Sequence, residues 1–280
     1  MLSRVKGYMM PRTGPVPKAC RQLEDEGYTL LRKVLSEEEV DDLAQEINGV
    51  YDKLPPDGRV RPGPLEKDRA YRHEMFNRSA LCQEIVAHPK ILKTIEPLLG
   101  EDCHVISNTS FCNPPGSDPE HKGGAWHTDS GPHIPLTDDQ VWPVDIPHPV
   151  FAIGTHIFLK DCSIECGPTG VIPGSHLSGK PPPLNHDMSL TWNSVSAKPL
   201  PAKAGDVAMF VSDIWHRRLP TSDKDRGRFF LQVHYARRDI AQRLRLTAEV
   251  NHLSPQALAR IKSDREKTLL GLHPPHFYDG

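Results

Sequence analysis

His127 and Asp129 stand two apart in the run Trp126-His127-Thr128-Asp129. On a β-strand, residues i and i+2 project from one face, so this imidazole and this carboxylate reach a common point while Thr128 turns away. A second histidine from another strand would complete one face of an octahedron and leave the other positions open. That is the two-histidine, one-carboxylate donor set of non-haem iron(II) oxygenases. Alone the triplet is weak: a chain with fifteen histidines supplies such spacings by chance, and a surface strand with a hydrogen-bonded His explains it equally well. The segment Gly205–His216 strengthens it, because it reads as a strand, a tight turn and a second strand that carries His216.

Twelve residues after His216, Arg228 opens the apolar run Phe229–Tyr235. An arginine at the mouth of a buried strand needs an anion, and its planar fork pairs two-point with a carboxylate. For an isolated Arg, a salt bridge to Asp223 or Asp225 accounts for it. Beside a metal triad it becomes the natural anchor for the distal carboxylate of 2-oxoglutarate, whose keto-acid end would chelate the iron.

The elements that must position these residues are legible in outline. Ser36-Glu37-Glu38-Glu39 is a capping box. After it, Val40, Leu43, Ile47, Val50 and Leu54 recur at helical spacing, and Pro55-Pro56-Asp57-Gly58 ends that helix. A second helix is expected over 79–87 and a third from Pro89 to Gly100, with a short strand before them at Gly27–Leu31. From residue 102 the texture changes to short apolar or alternating runs separated by turn residues. Strands are expected at 103–111, 125–129, 150–159, 170–172, 206–211, 214–219 and 228–235. Such punctuation, in a chain with 28 prolines, predicts a mainly β fold of the jelly-roll kind with flanking helices. One domain over 1–280 is the economical division: a helical part at about 20–100, a β core at about 102–240, and a last helix at about 254–266.

Composition narrows the classes. The 280 residues are 37% hydrophobic and 25% charged with a formal net charge of −2, ordinary for a globular protein. Acidic and basic residues are interspersed, which argues against nucleic acid as a partner. No apolar run approaches the ~20 residues that a membrane span needs, and the start of the chain has no apolar secretory core, so a cytoplasmic protein is expected. The six cysteines form no CxxC pair, and reduced thiols are expected.

Taken in order, His127-Thr128-Asp129, Gly167–His176 (GPTGVIPGSH), GDVAMF with the Trp215-His216 pair, and RFFLQVHY from Arg228 resemble the phytanoyl-CoA dioxygenase family of iron(II)/2-oxoglutarate oxygenases. Glu26–Leu43 is similar to the family's opening segment, so the resemblance spans about residues 20 to 240. It implies a double-stranded β-helix, or cupin-like jelly roll. It carries iron ligation onto His127, Asp129 and His216, and 2-oxoglutarate carboxylate binding onto Arg228. Arg226 is a rival for that role, because the spacing from His216 to Arg228 is one residue longer than the family's. By position, secondary cosubstrate contacts would fall on Asn108 or Thr109 and on His156, where the family often has an aromatic. After His216 the family continues with small residues and an Asn. Here Arg217-Arg218 stand instead, and a solvated pair is expected.

The implied reaction is oxidation, most simply hydroxylation, of a small-molecule metabolite or natural product with release of succinate and carbon dioxide. Iron(II), 2-oxoglutarate and oxygen would be required. Relatives also desaturate, close rings or epimerise; halogenation is disfavoured because Asp129 is present. Alternatives are an acyl-CoA hydroxylase of the same family, a zinc hydrolase, an iron dioxygenase that does not use 2-oxoglutarate, and a metal-binding cupin-like protein without turnover. Monomer and homodimer are both compatible with the sequence. Of the other histidines, His176 is expected to stabilise a turn and His234 to be a satisfied core residue. His121 and His133 are placed on loops near the metal, and Arg72 and His73 at the surface or in the pocket.

Overall fold

A computed structural model describes residues 16–53, 71–118, 120–129, 131–143, 145–183, 185–241 and 253–273. The first helix, Lys18–Glu26, ends at Gly27, whose φ of 80° closes a hydrogen bond to the Leu23 carbonyl. Strand β1 (Tyr28–Leu31) follows. The capping box forms in both directions: the Glu39 carboxylate accepts from the Ser36 amide at 2.7 Å, and Ser36 Oγ accepts from the Glu39 amide at 3.2 Å. Such a cap is worth about 1 kcal/mol. It starts the helix Glu37–Lys53, which buries Val40, Leu43, Ile47 and Val50. Leu54 and the Pro55–Gly58 stop lie outside the described residues.

Strand β2 (Tyr71–His73) and the short helix Met75–Arg78 were not expected. Ser79 then caps the helix Ala80–Glu84, continued by a 3-10 turn at Ile85–Ala87. The next helix, Pro89–Leu99, stops at Gly100 as expected.

The β core contains β3 (His104–Asn113), β4 (Ala152–Phe158), β5 (Thr169–Val171), β6 (Thr191–Trp192), β7 (Val195–Ser196), β8 (Lys198–Pro199), β9 (Val207–Val211), β10 (His216–Arg218) and β11 (Arg228–Ala236). The larger sheet has the order β1-β9-β4-β11-β3-β2, and a smaller one has the order β10-β5-β8. Side chains of the two sheets meet across a common interior. His156 Nδ1 lies 3.2 Å from Thr169 Oγ1, and the Phe210 ring is 4.6 Å from that of His216. The fold is therefore the jelly roll that the strand punctuation anticipated. The outer face of the larger sheet buries Ile153, Ile157, Met209, Leu231 and Val233 in one core with Leu43, Ile47, Ile91 and Ile95 of the helices.

Two expectations fail locally. Residues 125–129 are not a strand; only His127 pairs, as an isolated bridge to His216. The backbone partners there are spread over separate segments, with Trp126 bonding to Asn185 and Asp129 to Ser212. The last helix is two short ones, Pro255–Ala259 and Asp264–Leu269, because Ser263 adopts an extended conformation and caps the second.

Candidate metal centre

The site is built on one antiparallel pairing. The His127 amide donates to the His216 carbonyl at 3.0 Å, and the His216 amide returns a bond at 2.9 Å. Each histidine follows a tryptophan. Side chains alternate along extended chain, so both Trp rings are sent away from the site while both imidazoles enter it. Trp126 and Trp215 pack with Ile172 in a satellite cluster. Their indole N–H groups are held by carbonyls of Asp187 (2.7 Å) and Lys180 (2.8 Å). The repeated Trp-His dipeptide was a sequence signal for this pairing.

Each imidazole is oriented through its other nitrogen. His127 Nδ1 donates to the Ala125 carbonyl at 2.9 Å and His216 Nδ1 to the Ile214 carbonyl at 3.0 Å. Both Nε2 atoms are thereby left free to ligate a metal, the orientation that metal-bound histidines need. Asp129 Oδ1 lies 3.5 Å from His216 Nε2 and 3.9 Å from His127 Nε2. One donor atom from each of the three residues falls within 4.8 Å of the others. Two imidazole nitrogens and one carboxylate oxygen, all from one side, fit a single iron(II) ion with open positions.

Electrostatics agree with that fit. Burial works against the Asp129 charge, but His216 and His234 beside it prevail and hold the carboxyl well below its ordinary range. Burial alone would lower His216; the Asp129 carboxylate overcomes it and raises the imidazole. His127 is shifted down by burial and by His216.

A polar row leads away from the triad on the interior face of the larger sheet. Antiparallel partners share a face, so Arg228 with Asn113, Phe230 with Phe111 and Phe158, Gln232 with Thr109 and His156, and His234 with Ser107 and Gly154 line one side. Arg228 is buried, donating to the Gly167 carbonyl at 3.2 Å and Asn113 Oδ1 at 3.0 Å. Both partners are neutral. Asp225, one of the two acids that could have neutralised it, instead accepts from the Gly116 and Gly227 amides, and Asp223 is exposed. Burial lowers the Arg228 pKa to about 10, with Arg218 contributing. Burial foremost, then the Arg228 charge, pushes His156 well below its usual value, so that ring is neutral. Arg226 is exposed.

The structure brings Thr109 and His156 to this row and not Asn108. Asn108 stands opposite Val233 on the other face, because alternate residues of β3 point to opposite sides. Arg72 likewise faces outward, opposite Ser110, with its guanidinium 4.3 Å from the Tyr51 ring centroid, whereas His73 lies on the Thr109 side. His176 lies in the 3-10 turn Ser175–Ser178 and donates to the Glu24 carbonyl at 3.1 Å, which ties that turn to the first helix. His133 bonds Asp213 at 2.8 Å, and His121 lies 3.1 Å from Thr221 Oγ1.

One reading is corrected. Arg217 is not solvated: it is fully buried over the Trp126 ring and donates to the carbonyls of Lys122 and His186. Strand β10 alternates, so the residue after His216 must point away from the His127–Asp129–His216 cluster into the packed loops. His234 is the buried, partnered histidine that was expected, and one of its partners is Asp129, whose Oδ2 lies 3.1 Å from His234 Nε2. Its spacing of six from Arg228, on one strand face, was the available signal.

A mononuclear two-histidine, one-carboxylate site between the sheets of a jelly roll defines a class of metal-dependent oxygenase folds. The profile of the phytanoyl-CoA dioxygenase family matches residues 23–227, and the chain belongs to this family of iron(II)- and 2-oxoglutarate-dependent oxygenases. Its cofactor is iron, with 2-oxoglutarate and oxygen as cosubstrates. Among solved structures, the chain is similar to the α-ketoglutarate-dependent carbocyclase SnoK from nogalamycin biosynthesis, at 22% identity over 91% of this chain and 92% of that one, with a TM-score of 0.59. The epimerase SnoN, in complex with Fe3+, α-ketoglutarate and nogalamycin RO, matches at 19% identity over 79% and 82% of the two chains, with a TM-score of 0.57. The nickel complex of the non-haem monooxygenase ThoJ matches at 21% identity over 80% and 79%, with a TM-score of 0.56. These likenesses are of fold.

Proposed function

We propose that the protein oxidises a C–H bond of a small natural product or metabolite, with hydroxylation as its simplest outcome. The convergence of His127 Nε2, His216 Nε2 and an Asp129 oxygen carries this reading. Iron(II) held there would couple decarboxylation of 2-oxoglutarate to the activation of oxygen. The rest is the task of the chain itself.

Arg228 offers the distal carboxylate a buried, charged guanidinium whose terminal nitrogens are steadied by the Gly167 carbonyl and Asn113 Oδ1. Neutral His156, held by Thr169, and Thr109 share the interior face with it and offer hydrogen bonds without a competing charge. Phe111, Phe158, Phe210 and Phe230 line the same interior and exclude water from the reacting groups. The substrate class is supported by the interspersed charges of the chain, which carry no basic run suited to coenzyme A phosphates, and by its likeness to two enzymes of nogalamycin biosynthesis. The family's own name keeps an acyl-CoA as the second reading. Among the described residues, no helix is long and apolar enough to cross a membrane.

Arg228→Ala tests the cosubstrate assignment. Charge-assisted hydrogen bonds contribute about 1.5–3 kcal/mol, so 2-oxoglutarate affinity should fall by roughly 10- to 100-fold. An unchanged dissociation constant would move the anchor elsewhere. Screening polycyclic natural products against acyl-CoA thioesters for succinate release separates the two substrate classes.

A further inference from the structure

We propose that His234 is a positioning residue for the metal centre: it holds the outer oxygen of Asp129 so that the other oxygen faces the two imidazoles. The proposal rests on the reading of His127, Asp129 and His216 as metal ligands and adds a residue to it. His234 is 4% exposed and lies on β11, in the opposite sheet from His216. Its Nε2 is 3.1 Å from Asp129 Oδ2, while Oδ1 is turned to His216 and His127 at 3.5 and 3.9 Å. The two oxygens thus have separate partners. The contact between His234 Nε2 and Oδ2 is at ion-pair distance, and Ser212 Oγ lies 3.4 Å from the same nitrogen, close enough to hold the ring at that position. The Asp129 backbone is fixed by its amide bond to the Ser212 carbonyl, which leaves the rotation of the carboxylate to be set by a side-chain contact from across the interior.

The opposite strand is shaped to admit this ring. Gly154 is the register partner of both His234 and Phe210. A Cβ there would lie 3.0 Å from His234 Nε2 and 2.9 Å from Phe210 Cε2. Phe210 in turn packs on His216, with centroids 4.6 Å apart. One missing side chain therefore makes room for two rings, each of which bears on a different ligand. Gly154 has no positive φ, so the need for glycine here is space and not backbone conformation.

Cobalt(II) titration of the full chain tests the proposal, with the visible spectrum of bound cobalt as a second readout. Partners that orient ligands typically contribute 10- to 100-fold to metal affinity, so His234→Phe should weaken cobalt binding by about that factor and alter the spectrum. His234→Gln keeps an N–H donor and should restore most of the affinity. Gly154→Ala leaves His234 chemically intact but displaces its ring, and should weaken binding in the same direction. Equal affinities and identical spectra in wild type and His234→Phe would overturn the proposal. Should His234→Phe not fold, unchanged cobalt binding by Gly154→Ala would overturn it instead. If the wild type itself binds no cobalt, the metal-centre reading falls, an outcome distinct from a wild type that binds and a variant that binds equally well.

Discussion

The backbones of His127 and His216 exchange two hydrogen bonds, and their rings lie 4.3 Å apart. The two imidazole donors are thus set by a backbone pairing and not by side-chain adjustment. What holds that pairing in place is the pair of tryptophans behind it, together with Arg217. Most of the site's rigidity comes from residues that never face the metal.

Trp126→Ala should therefore act on both stability and metal affinity. Truncating a fully buried Trp costs about 3–5 kcal/mol, and here the Asp187 carbonyl also loses its indole donor. Urea denaturation should show a loss in that range, and cobalt affinity should fall with it. A loss below about 1 kcal/mol, the ordinary size of a point-mutant effect, would mean that the cluster does not anchor the segment.

Arg217→Ala removes the donor that ties Lys122 to His186 across two loops. Both acceptors belong to exposed residues, so the loss of each bond should cost about 0.5–1.5 kcal/mol. Hydrogen exchange should speed up at the amides of Gly124 and Trp126, which bond to Arg218 and Asn185 in the same assembly. Unchanged protection there would limit Arg217 to local packing.

His176 predicts a pH dependence. Burial lowers its pKa to about 4, and its Nδ1 is enclosed beside Gly27 with no hydrogen-bond partner among the described residues. The unfolded chain titrates near the ordinary histidine value of ~6.5, so between there and about pH 4 it binds a proton that the folded protein refuses. Stability contributed by the neutral ring is full above that window and is lost as pH falls through it. At ~1.4 kcal/mol per pH unit the loss approaches about 3 kcal/mol. Unfolding followed from pH 7 to 4 should show this slope in wild type and a shallower one in His176→Gln. Equal slopes would assign the effect to other groups.

Burial raises the thiols of Cys82 and Cys162 to about 12 and that of Cys103 to about 11. All three are free. The thiolate is the reactive form, so alkylation at pH 8 should leave these three unmodified in the native protein and label them on unfolding. Rapid native labelling of Cys82, which is fully buried, would contradict the packing around it.

Local signals in the chain carried the fold far. The Ser36–Glu39 box, the Pro89 start and Gly100 stop, and the alternation along β11 each reflect contacts within a few residues, which a sequence displays directly. The segment holding His127 and Asp129 was misread as a strand because its backbone partners come from Arg218, His216, Ser212 and Asn185, all distant in sequence. The same reason hid the burial of Arg217 and the contact of His234 with Asp129. Chemistry within one element, such as the two-residue spacing of His127 and Asp129, was legible; chemistry between sheets was not. Asn108 and Thr109 show the limit in small compass, because adjacent strand residues differ in face and only the register with β11 decides between them.

The most direct test of the account is anaerobic binding of 2-oxoglutarate with and without iron(II). Wild type should bind the cosubstrate tightly only when iron(II) is present, and His216→Ala and Asp129→Ala should lose that iron-dependent binding while remaining folded. Binding that is indifferent to iron(II), or a protein that retains zinc and turns over no 2-oxoglutarate with any substrate, would contradict the account.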